Sequence, residues 1–231
     1  METPDSTGSG GRITTAVRER LRNEAAGAEQ LGRLTDGQLA IIQQAGWFKL
    51  FVPESLGGLG MDLPQAVRLE EALAGIDGSL GWTVTLCAGA NWFVGFFDTA
   101  VRETVFADPA VCLGGSGQAS GQAERTASGY RVNGSWRYAT GAPHLTHFTA
   151  NAVVTGSGET RSFLLTAADV AVLSDWNTFG LKATASHSFV VSNRIVDEAW
   201  TFRILPEEAR LDDPVYRYPF LQLAETTLAA N

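Results

Sequence analysis

Apolar and polar positions along the first hundred residues follow a helical period. Val17, Leu21 and Ala25 recur every four residues among charges, which predicts an amphipathic helix over residues 13–30. Thr35 with Gln38 three positions on forms a capping box, Leu34 can staple to Leu39, and Gly46 supplies the stop of a second helix. Residues 47–52 read as an extended apolar segment ended by Pro53, and Gly57, Gly58 and Gly60 as a sharply bent loop. Asp62, Pro64 and Gln65 open a third helix, with Ala66, Leu69, Leu73 and Ile76 inward and Arg68, Glu70 and Glu71 facing water. Asp77 starts an almost wholly apolar helix through Trp82 and Trp92, and Asp98 caps a short one with Val101 and Val105 inward.

At Asp108-Pro109 the period of 3.6 vanishes and Gly, Ser and β-branched residues take over. The run GGSGQASGQ at 114–122 is small, polar and expected to be flexible. Tyr130 and Val132, then Trp136 and Tyr138, alternate with polar neighbours on either side of Asn133-Gly134, which predicts a hairpin turning at that pair. Further strands are expected at 148–155 and 161–166 around a Gly156-Ser157-Gly158 turn, and at 170–173, 189–192 and 199–202. After Pro214 the pattern turns helical again, with Phe220, Leu221, Ala224 and Leu228 on one side. The expected class is α+β: a flexible leader (1–12), a helical N-terminal domain (13–108), a mostly antiparallel β domain (109–213) and the start of a C-terminal helical region (214–231).

Composition narrows the function classes. The 231 residues carry a net charge of -8, which argues against nucleic acid or an anionic membrane as partner. The N-terminus lacks a basic start and an apolar core, so no export signal is expected, and Gly81, Gly89, Asn91 and Gly95 make residues 80–97 a protein-buried helix and not a bilayer span. Cytoplasm is the default location. Cys87 and Cys112 lack metal-ligand spacing, so both read as buried small hydrophobes and no metal site is expected. The glycine run has neither the Lys-Ser/Thr of a P-loop nor a βαβ context. A Ser116, His144, Asp175 triad can be written on paper, but no nucleophile elbow accompanies it.

Three segments carry a resemblance. Tyr138-Ala139-Thr140-Gly141, the upstream VPESLGGLG at 52–60 and the downstream GLKATAS at 180–186 fall in the order and register of the acyl-CoA dehydrogenase superfamily, which the chain resembles over about residues 15–231. The family usually has Trp where Tyr138 stands. The resemblance implies a flavin, FAD, lying at the edge of the β domain, with the protein supplying orientation and electrostatics. It places Tyr138 against the ring, Thr140 as donor to the isoalloxazine edge near N5, and the backbone of Gly114 to Ser116 and of Gly141 along flavin and substrate. Its C-terminal helical bundle, which supplies the dehydrogenases' carboxylate base, has no counterpart in these residues, and none of Glu54, Glu103, Glu124 or Glu198 carries a motif for that role.

Two branches of the superfamily fit. One is an oxidoreductase acting on an acyl-CoA-type substrate. The other is the flavin-dependent monooxygenase branch, which takes reduced FMN or FAD from a partner reductase. Gly78-Ser79-Leu80-Gly81-Trp82 and Trp136 with Thr140-Gly141-Ala142-Pro143-His144 are similar to the second branch, in which His144 would bond substrate or flavin. A non-catalytic partner subunit is a third reading. The apolar stripe Leu221, Ala224, Leu228 predicts a homo-oligomer or a covering partner chain.

Overall fold

The computed structural model describes residues 13–231; the expected leader lies outside the described residues. Five helices come first: α1 (Thr15–Leu31), α2 (Asp36–Ala45), α3 (Leu63–Ala74), α4 (Gly78–Asn91) and α5 (Thr99–Phe106). Local signals set their ends. Thr35 and Asp62 each close a reciprocal capping box, with Gln38 and Gln65 respectively, and Asp77 and Asp98 accept from backbone N–H groups of α4 and α5. Gly46 stops α2 in the left-handed conformation at φ 73°.

A seven-stranded sheet follows: β1 (Leu113–Arg125), β2 (Gly129–Ala139), β3 (His147–Val154), β4 (Thr160–Thr166), β5 (Ala171–Val172), β6 (His187–Asp197) and β7 (Thr201–Phe202), in the order β5-β6-β2-β1-β3-β4-β7. The β1–β3 pair is parallel and the other pairings are antiparallel. A last helix, α6 (Phe220–Leu228), returns to the helical side. Trp92 anchors that return. Fully buried, it packs its ring on Phe96, Tyr216 and Phe220 and donates Nε1–H to the Val215 carbonyl at 3.0 Å. Gly95 is required beside it, since a Cβ there would lie 2.3 Å from the Tyr216 ring.

Five local expectations are corrected. Residues 47–49 form a 3-10 turn instead of an extended segment, because the left-handed Gly46 turns the chain straight into a new helical bond, Lys49 N–H to Gly46 O. The glycine run at 114–122 is strand and not loop: it lies within β1 at the centre of the sheet, with Gly114 to Ser116 and Gly121 to Gln122 paired to β3 across an irregularity, and β2 joining only from Gln122 on. Asn133-Gly134 is not a turn. β2 runs straight through it, the hairpin bend falls at 126–128, and the pair marks a bulge against β6 where Asn133 Oδ1 accepts from Asn193 N–H. The glycine is needed because Trp136 lies over it, its nearest ring atom 2.5 Å from where a Cβ would stand.

Glu70 does not face water: it is wholly buried on the same stripe as Ala66, Leu69 and Leu73. The stripe of α6 is likewise rotated. Leu223 and Thr227 are buried, and of the three residues expected outside, Leu221 is exposed while Ala224 and Leu228 turn into a cleft.

Candidate functional site

α4, β1 and α6 meet around an open cleft with about 120 Å3 of space inside it. Its floor is the glycine-rich start of β1, residues Gly114 to Gly117, and its walls are Thr85, Leu86 and Gly89 of α4, Phe93 of the 3-10 turn that follows it, and Phe220, Leu223, Ala224 and Leu228 of α6. Thr140, at the end of β2, completes one corner. β1 reaches the floor without sagging because its carbonyls are held from the neighbouring strand: Thr149 Oγ1 donates to Gly114 O at 3.2 Å and Asn151 Nδ2 to Gly117 O at 3.0 Å. Among the described residues, nothing lies within 4 Å of where a Cβ on Gly89 or Gly117 would be. Two backbone stretches on opposite walls are therefore approachable by a flat ligand.

Thr140 is 5% exposed and its hydroxyl is already occupied. It accepts from Trp82 Nε1–H at 3.3 Å and lies 2.9 Å from Ser186 Oγ, which in turn lies 2.7 Å from Thr184 Oγ1. Thr184 donates to the Leu181 carbonyl at 2.9 Å. Since a hydroxyl has one proton, that last bond fixes the direction of the chain: Ser186 donates to Thr184 and Thr140 donates to Ser186. The resting Thr140 hydroxyl thus offers a ligand a lone pair, and it can donate to one only if its proton leaves Ser186.

The remaining residues singled out from the sequence divide in two. Gly114 and Ser116 share the cleft with Thr140. Tyr138, Gly141 and His144 are not part of its lining. Tyr138 takes a positive φ of 66°, is 59% exposed and meets Trp176 edge to face. Its exposed ring is consistent with a planar partner at that edge of the sheet and shows no contact with the cleft. Gly141, at φ 75°, donates its N–H to Thr184 O at 2.8 Å and turns the chain so that His144 stacks on Phe48. The paper triad is dispersed, since Asp175 accepts from Ser188 N–H and faces His187.

Sequence reading missed two features. Cys87 of α4 and Cys112, just before β1, come together with His144 in one buried cluster, their ligand atoms all within 4.8 Å of one another. The Cys112 thiol acting as donor draws the Cys87 thiol below the ordinary range, while burial pushes Cys112 up. Separations of 25 and 32 residues carry no motif, so only the fold reveals the group. The second feature is Glu70. Burial pushes its pKa up to about 8, and although Thr85 approaches closely enough to draw it down, neither carboxylate oxygen has a hydrogen bond of normal geometry. Its place at i+4 from Ala66 and i-3 from Leu73 was the available signal.

Comparison with known proteins fits this geometry. Residues 12–103 match the acyl-CoA dehydrogenase N-terminal domain. The chain is 29% identical over 229 residues to the oxygenase subunit HsaA of a flavin-dependent monooxygenase from Rhodococcus jostii, covering 93% of this chain and 59% of that protein. It is 28% identical over 196 residues to indole-3-acetate monooxygenase from Acinetobacter baumannii, covering 81% of this chain and 49% of the relative. The crystal structure of 3-HSA hydroxylase from Rhodococcus superposes with a TM-score of 0.88 at 28% identity, over 93% of this chain and 58% of that one. The chain spans about half the length of the curated relatives it matches. Residues 12–103 thus match the N-terminal domain of the acyl-CoA dehydrogenases, and from these helices to the sheet that forms the cleft floor the chain is similar in sequence and fold to flavin-dependent monooxygenases.

Proposed function

We propose that the chain forms the flavin- and substrate-facing part of the oxygenase component of a two-component flavin-dependent monooxygenase, which receives reduced FMN or FAD from a separate reductase and hydroxylates a small aromatic compound. The observation that carries the reading is the cleft lining. Glycine backbone, hydroxyl and amide groups, and apolar side chains of α4 and α6 surround it, a surface suited to a neutral ring system. The relatives support this branch over acyl-CoA oxidation, which they support only at the level of the superfamily.

The residues present fit a flavin, because Gly89 and Gly117 leave both walls open to a plane. When bound, the flavin would supply the activation of dioxygen and the oxygen atom transferred. The chain's own contributions are positional. The carbonyl-anchored β1 backbone of Gly114 to Ser116 would border the ring and the substrate. Thr140 would orient the ring edge, with Ser186 and Thr184 fixing its hydroxyl and Trp82 holding it from behind. Tyr138 would close the opposite side of the ring edge from its exposed position. The apolar faces of α4 and α6 would exclude water from the reacting atoms. His144 stands outside the cleft, behind Gly141, and would act by fixing the turn that carries Thr140.

The test is anaerobic titration with reduced FMN and reduced FAD, followed by admission of air in the presence of a panel of phenols and indoles. Binding of the reduced flavin and a product heavier by one oxygen atom are expected only with reductant present. Oxidation of an acyl-CoA by tightly held oxidised flavin, with no oxygen inserted, would overturn the proposal.

A further inference from the structure

We propose that Cys87, Cys112 and His144 form a binding site for a single soft d10 metal ion, monovalent copper, held by two sulfurs and one imidazole nitrogen. The site is distinct from the cleft and does not depend on the reading of it.

The donor set is the first argument. Two cysteines and a histidine come from three separate elements, α4, the approach to β1 and the turn after β2, and their ligand atoms all lie within 4.8 Å of one another. Three-coordinate binding by two sulfurs and a nitrogen, with bonds of about 2.0 to 2.3 Å, places ligand atoms roughly 3.5 to 4 Å apart, so the cluster would have to contract by less than about an ångström. Burial is the second. Both sulfurs are wholly inaccessible, and among the described residues buried His144 Nε2 makes no hydrogen bond of normal geometry, only a close approach to the Cys87 thiol. An imidazole nitrogen so poorly paired beside two thiols costs free energy that an ion would recover.

The third argument is how the space is kept. His144 is fixed by stacking on Phe48, with ring centroids 5.5 Å apart and planes 16° from parallel. Gly141 stands next to it, and a Cβ there would lie 2.6 Å from His144 Nε2 and 3.4 Å from Cys87 Sγ. The missing side chain thus keeps clear a point beside both the nitrogen and one sulfur. The choice of ion follows from the donors. Zn(II) asks for four ligands, whereas soft thiolates in a site with three donors select Cu(I). Binding forms two Cu–S bonds and one Cu–N bond, releases the thiol protons to solvent and involves no redox change.

Because Cys87 stands on α4 and His144 on the turn after β2, the ion would pin that turn to α4 through its own bonds, in place of the S–H contact that Cys87 makes to the Thr140 carbonyl at 3.9 Å. The test uses the full chain, reduced and metal-free, titrated anaerobically with Cu(I) against bicinchoninate. One equivalent is expected, and Cys87→Ser and Cys112→Ser should each weaken binding by more than about tenfold, beyond the loss typical of altering an outer-shell partner. X-ray absorption of the wild-type complex needs no variant. With two cysteines in the whole chain, a shell of two sulfurs and one nitrogen near about 2.0 to 2.3 Å identifies the site even if the serine variants fail to fold. No uptake against the chelator, a shell without two thiolate sulfurs, unchanged affinity in folded serine variants, or uptake of Zn(II) but not of Cu(I) would each overturn the proposal.

Discussion

Two buried polar groups flank the cleft, and they are built on opposite principles. At one corner the chain from Trp82 through Thr140, Ser186 and Thr184 to the Leu181 carbonyl gives every proton a place. Behind the other wall, Glu70 has been taken from water with no well-formed partner for either oxygen, beside the cleft residue Thr85. A satisfied network fixes one geometry and is insensitive to pH. An unsatisfied carboxyl is tolerated by staying protonated, which makes that wall sensitive to pH. The corner where a ligand edge needs a fixed contact is the satisfied one.

The largest effect expected from breaking this contrast is at Glu70. Its folded pKa of about 8 stands above the ordinary 4.5, so the folded state holds a proton that the unfolded state releases between those values. Stability is then full below about pH 4.5 and falls as pH rises towards 8, by on the order of 4 kcal/mol for a shift of this size. Glu70→Gln removes the titration: urea unfolding at pH 5 and pH 9 should show a steep loss in the wild type and a nearly flat profile in the variant. Equal slopes in both would show that Glu70 is ionised and paired in solution.

Thr140→Ala should cost about 1 to 3 kcal/mol at every pH, since it strands the Trp82 N–H and takes from the Ser186 oxygen the donor it accepts from, while Thr140→Ser should restore most of it. Denaturant midpoints for the pair check this, and an alanine variant as stable as wild type would mean that the chain of hydroxyls is not formed. Gly141→Ala should cost about 2 kcal/mol from its φ of 75° and the contact with His144. Thermal unfolding is the readout, and a neutral result would mean that the turn relaxes freely. Tyr138→Ala is the smallest, within about 0.5 kcal/mol for an exposed ring. Weaker binding of reduced flavin without a change in stability would mark Tyr138 as a contact of the ring, and unchanged binding would remove it from the site.

The helical half was legible because its signals are local. Thr35 with Gln38 and Asp62 with Gln65 close the capping boxes their spacing announces, and Gly46 ends its helix as a left-handed stop must. The sheet was legible in its strands but not in their connections. Asn133-Gly134 has the residues of a turn, yet Trp136 packing across Gly134 and pairing with β6 hold it straight. The glycine run reads as flexible in isolation and becomes part of a central strand because β3 supplies partners for its backbone at Gly114 to Ser116 and Gly121 to Gln122. Among the residues singled out from the sequence, Thr140, Gly114 and Ser116 line one cleft, while His144 joins two cysteines that sequence spacing gave no reason to connect.

The sequence by itself determined where helices start and stop, where helical periodicity gives way to strands, and which strand end carries the threonine at the cleft corner, because caps, periods and turn residues act over a few positions. Tertiary structure alone decided that Glu70 is buried, that the Thr140 proton points to Ser186, and that two thiols and an imidazole share one space. Each of these depends on which groups lie opposite one another across α4, and burial and hydrogen bonding there are set by neighbours tens of residues away.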